Sequence, residues 1–329
     1  MWKKFYKRAT ALALVCAMSV MLTACGDSNS SWKAASSSLE NSVEDAIAAG
    51  NTEPEASPID ASSLEDCAYA LPDPTGEEAK AEQERFHTYL MDIFKESVTS
   101  DTVTLHYTVA NPAHYDLDVP TATFGDAEIS EDAIASDKKE TEDEITELQS
   151  FDYDLLTGSQ KYTYDVIKDY LDLNLESYDY TYLYEPFAYT SGLQTNMPIN
   201  MSEYKFYNEG DVQDYLALLG QLSDYYGKYL DFEQTKIDKG LFMNEHSASE
   251  VVRQCEEFIA TPEENLLIAT FEDKIRGVEG LSEEQIQDYI TQNHDTVINS
   301  VIPCYKNVIN FFNAHKDDGQ NDLGLAGFE

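Results

Sequence analysis

Apolar residues recur along most of the chain at the three- and four-residue spacing of an amphipathic helix. Phe86, Tyr89, Leu90, Ile93 and Phe94 make the first clear stripe, opened by Thr75, Gly76, Glu77 and Glu78. Residues 102–109 are rich in β-branched side chains and predict a short strand, broken by Asn111 and Pro112. Residues 159–175 return to the helical period, with Val166, Ile167, Tyr170 and Leu171 on the buried side. Asp211 is the expected cap of a long helix that buries Val212, Tyr215, Leu216, Leu219, Leu222, Tyr226 and Tyr229 and ends near Gly240. Three capping boxes follow: Ser247 with Glu250, Thr261 with Glu264, and Ser282 with Gln285. Pro303 kinks or restarts the last helix, which runs out near Ala314. No internal repeat breaks this series. The pattern predicts a mostly α, multi-helix body over residues 64–329.

Residues 178–199 depart from the helical period. Tyr178, Tyr180, Tyr182 and Tyr184 alternate with other residues, which is the period of a strand. Glu185, Pro186 and Phe187, then Ser191 and Gly192, then Met197 and Pro198 punctuate the rest of the segment. The expectation is a small extended element. Its tyrosines either cover a helix layer with their hydroxyls in water, or form an edge where a peptide can pair. On the second reading Tyr180, Tyr182, Gly192 and Gln194 are the candidate substrate-binding residues.

The first 24 residues read as an address. Lys3, Lys4, Lys7 and Arg8 form a basic start, an apolar run extends to Met21, and Leu22, Thr23, Ala24 and Cys25 have the form of a lipobox. The apolar run is short for a membrane span. Cys25 is therefore the predicted lipidation site, and membrane lipid is the first expected partner, with the protein held outside the cytoplasm. Residues 25–63, rich in Ser, Ala and acid, predict a flexible tether with an end-to-end distance of about 35 Å.

Charge narrows the function. The chain has 62 Asp and Glu against 21 Lys and Arg, a net charge of −41, so no nucleic acid partner is expected. At 42% hydrophobic and 12% aromatic it can still bury a sizeable core. Cys67, Cys255 and Cys304 remain after the signal and the anchor, and the last two lie on apolar helical faces, as buried free thiols do. No nucleophile elbow, phosphate-binding loop, dinucleotide fingerprint or C-x-x-C pair is present. The histidines, His87, His106, His114, His246, His294 and His315, include no H-E-x-x-H pair. Ser202 and Lys205 have the spacing of an acylating serine site, but the Lys-Thr-Gly element of such sites is missing.

Ordered short stretches carry a family likeness. They include Leu105-His106-Tyr107-Thr108, Asn111-Pro112, Tyr164-Asp165-Val166, Glu185-Pro186-Phe187, Gly192-Leu193-Gln194, Glu203-Tyr204, Asp211-Val212, Lys239-Gly240-Leu241-Phe242-Met243 and Ile302-Pro303. From Glu77 onward the chain resembles the N-terminal half of the bacterial family called domain of unknown function 885. The resemblance implies a mostly helical, often lipid-anchored, zinc metallopeptidase-like protein. It also implies an H-E-x-x-x-G-H zinc helix in a C-terminal half, so no catalytic residue, metal ligand or cofactor is expected in this chain. Zinc belongs only to full-length relatives on this reading. The expectation is thus a truncated relative without hydrolytic activity, with apolar faces left exposed that favour association. The alternative is an extracytoplasmic lipoprotein that binds peptide or glycan without catalysis.

Overall fold

A computed structural model describes residues 72–320, together with Tyr69 and Leu323. Residues 1–63, including Cys25, and Cys67 lie outside the described residues. The chain divides into two compact units. One contains residues up to Phe94 and Glu144–Leu171, and the other contains Lys95–Asp143 and the chain from Asp172 onward. No described helix is long and apolar enough to cross a membrane.

The smaller unit is built from α1 (Glu77–Val98), α3 (Glu131–Gln149) and α4 (Gly158–Ser177), each of which also gives residues to the larger unit. Its core is Phe86, Tyr89, Leu90, Leu148, Phe151, Leu156, Ile167 and Leu171. Phe86 meets Phe151 edge-on at 5.1 Å. The Arg85 guanidinium lies 3.8 Å over the Phe151 ring and donates to the Ser150 carbonyl, which fixes the end of α3.

The larger unit is organised around α6 (Glu209–Asp238), 30 residues long. It buries Val212, Tyr215, Leu218, Leu219, Leu222, Tyr226, Tyr229 and Phe232, a stripe wide enough for helices on several sides. Around it are α2 (Thr102–Thr108), α5 (Leu193–Glu203), α7 (Glu245–Ile259), α8 (Leu266–Ile275), α9 (Glu283–Thr296) and α10 (Ile302–His315). Cys255 and Cys304 are free and buried in this core, as their apolar faces predict.

The caps differ from expectation in two places. Asn208, not Asp211, caps α6, and Asp211 sits at the third helical position with its carboxylate accepting from the cap's backbone. Asn244, not Ser247, caps α7. Thr261 and Glu264 belong to a 3-10 turn, and α8 starts only at Leu266 behind an Asn265 cap. The Ser282–Gln285 box is present at the start of α9. α6 ends where Gly240, at φ +71, turns the chain away.

Two predicted extended runs are helical. Residues 102–108 form α2 because Asp101 caps them, accepting from the Thr104 amide at 2.8 Å and the Thr104 hydroxyl at 2.7 Å. That cap outweighs the β-branched composition. Tyr178–Leu183 is a 3-10 helix, and Leu193–Glu203 is α5, with Pro198 inside it. Burial here falls on Tyr178 and Thr181, then on Gln194, Met197, Pro198 and Met201. Those spacings are three and four, so the alternation of tyrosines does not mark a strand's two faces. No strand occurs among the described residues.

Candidate functional site

The best-formed concavity in the larger unit is a cavity of about 500 Å³. Its walls come from α2 and the turn after it, from the end of α5, and from the first turn of α6. The Asp101 cap sets α2 so that His106 stands in this wall with only 8% of its side chain exposed. The capping box at Asn208 brings Asp211 to the opposite side. His106 Nδ1 lies 3.6 Å from Asp211 Oδ1. The other oxygen of Asp211 accepts from the backbone amides of Tyr207 at 2.8 Å and Asn208 at 3.0 Å.

Tyrosines surround this pair. The Tyr204 ring stacks on the imidazole at 3.8 Å and 13°, and the Tyr207 ring lies 5.6 Å away. Tyr107 stands edge-on to His106 at 5.5 Å and donates its hydroxyl to the Asn200 carbonyl. Burial and the charges of Asp211 and Asp214 raise the Tyr204 hydroxyl well above its ordinary pKa, so it is a neutral donor at any physiological pH.

The two acids of the cavity are tuned in opposite directions. Burial raises the Asp211 carboxyl, but the His106 hydrogen bond and the two amides outweigh it and leave the group below its ordinary value. Burial and the neighbouring Asp211 charge raise Asp214. Among the described residues, no hydrogen bond or ion pair reaches the Asp214 carboxylate. The arrangement offers a fixed imidazole, one satisfied carboxylate, one unsatisfied carboxylate and three aromatic rings.

The four residues singled out in the 178–199 segment lie elsewhere. Tyr180 is 61% exposed on the 3-10 turn. Tyr182 stacks on Phe232 at 5.8 Å, with the Lys239 ammonium 4.5 Å from its ring. Gly192 caps α5, and a Cβ there would come within 2.5 Å of the Ala188 carbonyl, so only glycine fits. Gln194 is buried and donates to Ala188 O and Gln254 Oε1. None of the four lines the cavity.

A second buried charge centre sits on α6. Glu233 and Lys236 are both fully buried, with Lys236 Nζ 3.3 Å from Glu233 Oε2 and donating at 2.9 Å to the Tyr184 carbonyl. Neither Glu233 oxygen accepts a well-aligned hydrogen bond among the described residues. Burial, opposed by Lys236, pushes the Glu233 carboxyl up to about 7.

Among the described residues no group of three or more His, Cys, Asp or Glu is arranged to hold a metal ion. His294 pairs with Glu263 at 2.7 Å and His315 with Asp318 at 2.7 Å, both at the surface.

Comparison with known proteins adds two findings. The sequence profile described as "Bacterial protein of unknown function (DUF885)" matches residues 121–326. A solved structure of a protein from Colwellia psychrerythraea, assigned as a lipoprotein, aligns with a TM-score of 0.58 at 13% identity. The alignment covers 72% of this chain and 42% of that one, so this chain spans under half of that protein's length. At such identity the likeness is one of fold. None of the curated proteins matches the chain.

Proposed function

The chain belongs to the bacterial family of unknown function DUF885, and from that premise we propose that it is a lipid-anchored, extracytoplasmic protein whose helical body binds peptides in the cavity beside His106. The observation that carries this reading is convergence. The stretches Leu105–Thr108, Asn111-Pro112, Glu203-Tyr204 and Asp211, scattered in sequence and singled out by the family likeness, supply walls of one cavity. A concave site with aromatic walls and a few fixed polar groups is the usual form of a ligand site. The signal and lipobox ending at Cys25 support the placement at a membrane surface, as does the lipoprotein assignment of the Colwellia protein.

Zinc hydrolysis, which the family likeness brings with it, does not fit the residues described. Asp211 has one oxygen committed to His106 and the other to two backbone amides, so it has no oxygen free for a metal. The work assigned to these residues is therefore binding and orientation. His106 is held by Asp211 and Tyr204, and the tyrosine hydroxyls stay protonated as donors to a peptide carbonyl.

Isothermal titration of the full chain in detergent with short peptides tests this. Saturable binding is expected, and it should weaken when Tyr107 and Tyr207, 51% and 70% exposed, are both replaced by Ala. Binding that the double replacement leaves unchanged would put the peptide elsewhere and overturn the reading.

A further inference from the structure

The charges of the cavity do not balance. Asp211 is matched by His106 and two amides, whereas Asp214, three residues along α6, has no such partner. Residues three apart on a helix stand on the same face, so the two carboxylates repel one another across a region partly withdrawn from water. A neutral ligand entering the cavity would strip more water from Asp214 and return nothing to it. An anionic ligand would be repelled by both acids and by a chain of net charge −41. A cation gains from each of these features, and the rings of Tyr107, Tyr204 and Tyr207 add the attraction of aromatic faces for positive charge.

We propose that the cavity selects ligands through an alkylammonium group seated against Asp214 and enclosed by Tyr107, Tyr204 and Tyr207. The group is either the side-chain amine of a lysine or the free amine at a peptide's N-terminus. This inference rests on the cavity being a peptide site, and it names the part of the peptide that is read.

The test is titration calorimetry on the full chain with four probes at one ionic strength. Acetyl-Gly-Lys-Gly-amide carries only the side-chain amine. Gly-Gly-Gly-amide carries only the terminal amine. Acetyl-Gly-norleucine-Gly-amide is the neutral isostere, and n-butylammonium chloride is the amine without a peptide. At least one amine-bearing peptide should bind about ten-fold or more tightly than the neutral isostere, and the stronger of the two identifies the source of the amine. Asp214→Asn should remove that advantage. Raising the salt from 0.05 to 0.5 M should weaken the amine probes several-fold in the unaltered protein, a readout that needs no variant. Equal binding of the lysine probe and its norleucine isostere overturns the ammonium inference while leaving peptide binding standing. Binding of n-butylammonium that Asp214→Asn abolishes, with no peptide bound, supports the ammonium site and overturns the peptide reading. Binding of amines that Asp214→Asn leaves untouched overturns the assignment to this carboxylate. No binding of any probe overturns both readings.

Discussion

Replacing Glu233 with Gln removes one buried negative charge with almost no change of shape. In the fold burial pushes this carboxyl from 4.5 to about 7, against the pull of Lys236. A rise of that size corresponds to about 3 kcal/mol of preference for the protonated form. Because the folded value lies above the unfolded one, the stability is fully present below pH 4.5 and is lost as the pH rises toward 7. Glutamine carries no such penalty at any pH. With an isoelectric point near 4.2 the chain is best kept away from the acid end, so pH 5.5 and pH 8 are suitable limits. Between them about 2 kcal/mol of the effect is spanned. Urea unfolding followed by circular dichroism, on both proteins at both limits, gives a double difference in which pH-independent costs of the substitution cancel. The expected result is that Glu233→Gln gains about 2 kcal/mol on the parent from pH 5.5 to pH 8. A variant that instead loses ground as the pH rises would show that attraction to Lys236 outweighs desolvation, and the argument from burial would fail.

Three further outcomes are expected. Cys25→Ala should leave an uncleaved, unlipidated precursor, and a variant that still partitions into detergent at mature length would exclude Cys25 as the anchor. Leu219→Ala, at a fully buried position of α6, should lower stability by about 2–5 kcal/mol in urea unfolding, and a loss under 1 kcal/mol would mean that the site collapses around the gap. Burial raises the thiols of Cys304, up to about 12, and of Cys255 further still, so both should escape iodoacetamide at pH 8 until urea is added. Alkylation of either in the native protein, read by mass spectrometry, would contradict their burial.

Helices with long apolar stripes were plain in the sequence, because α1 and α6 bury the very residues whose spacing predicts them, such as Phe86 and Leu90 or Tyr215 and Leu222. Their ends were less plain. Asn208 and Asn244 took the capping positions from Asp211 and Ser247, since any nearby Asx side chain can reach the same amides. α2 was concealed by its threonines and valine, whose strand preference is weaker than a cap from Asp101. The tyrosines of residues 178–184 misled for another reason. Tyr180 is exposed and Tyr178 buried, so a run of one residue type did not mark one face. At the cavity, His106, Tyr204 and Asp211 stood in the stretches that carry the family likeness, yet nothing in the sequence joined them. Asp214 was hidden among 62 acids, and only the fold distinguishes it, by leaving it without a partner.

Between α9 and α10 the helix widens for Val297–Val301, and the Ile302 amide reaches back five residues to the Val297 carbonyl. This turn holds one residue more than an α-helix would, and Pro303, which has no amide to give, comes where the regular ladder is already interrupted. The surplus residue sets the rotation of everything after it. Deleting it would turn α10 by about 100° and draw it back by about 1.5 Å, carrying Cys304, Tyr305, Val308 and Phe312 off the core they fill. Selection acting here is thus on chain length more than on residue identity. Homologous chains should vary in side chains through this stretch while insertions and deletions are excluded from it.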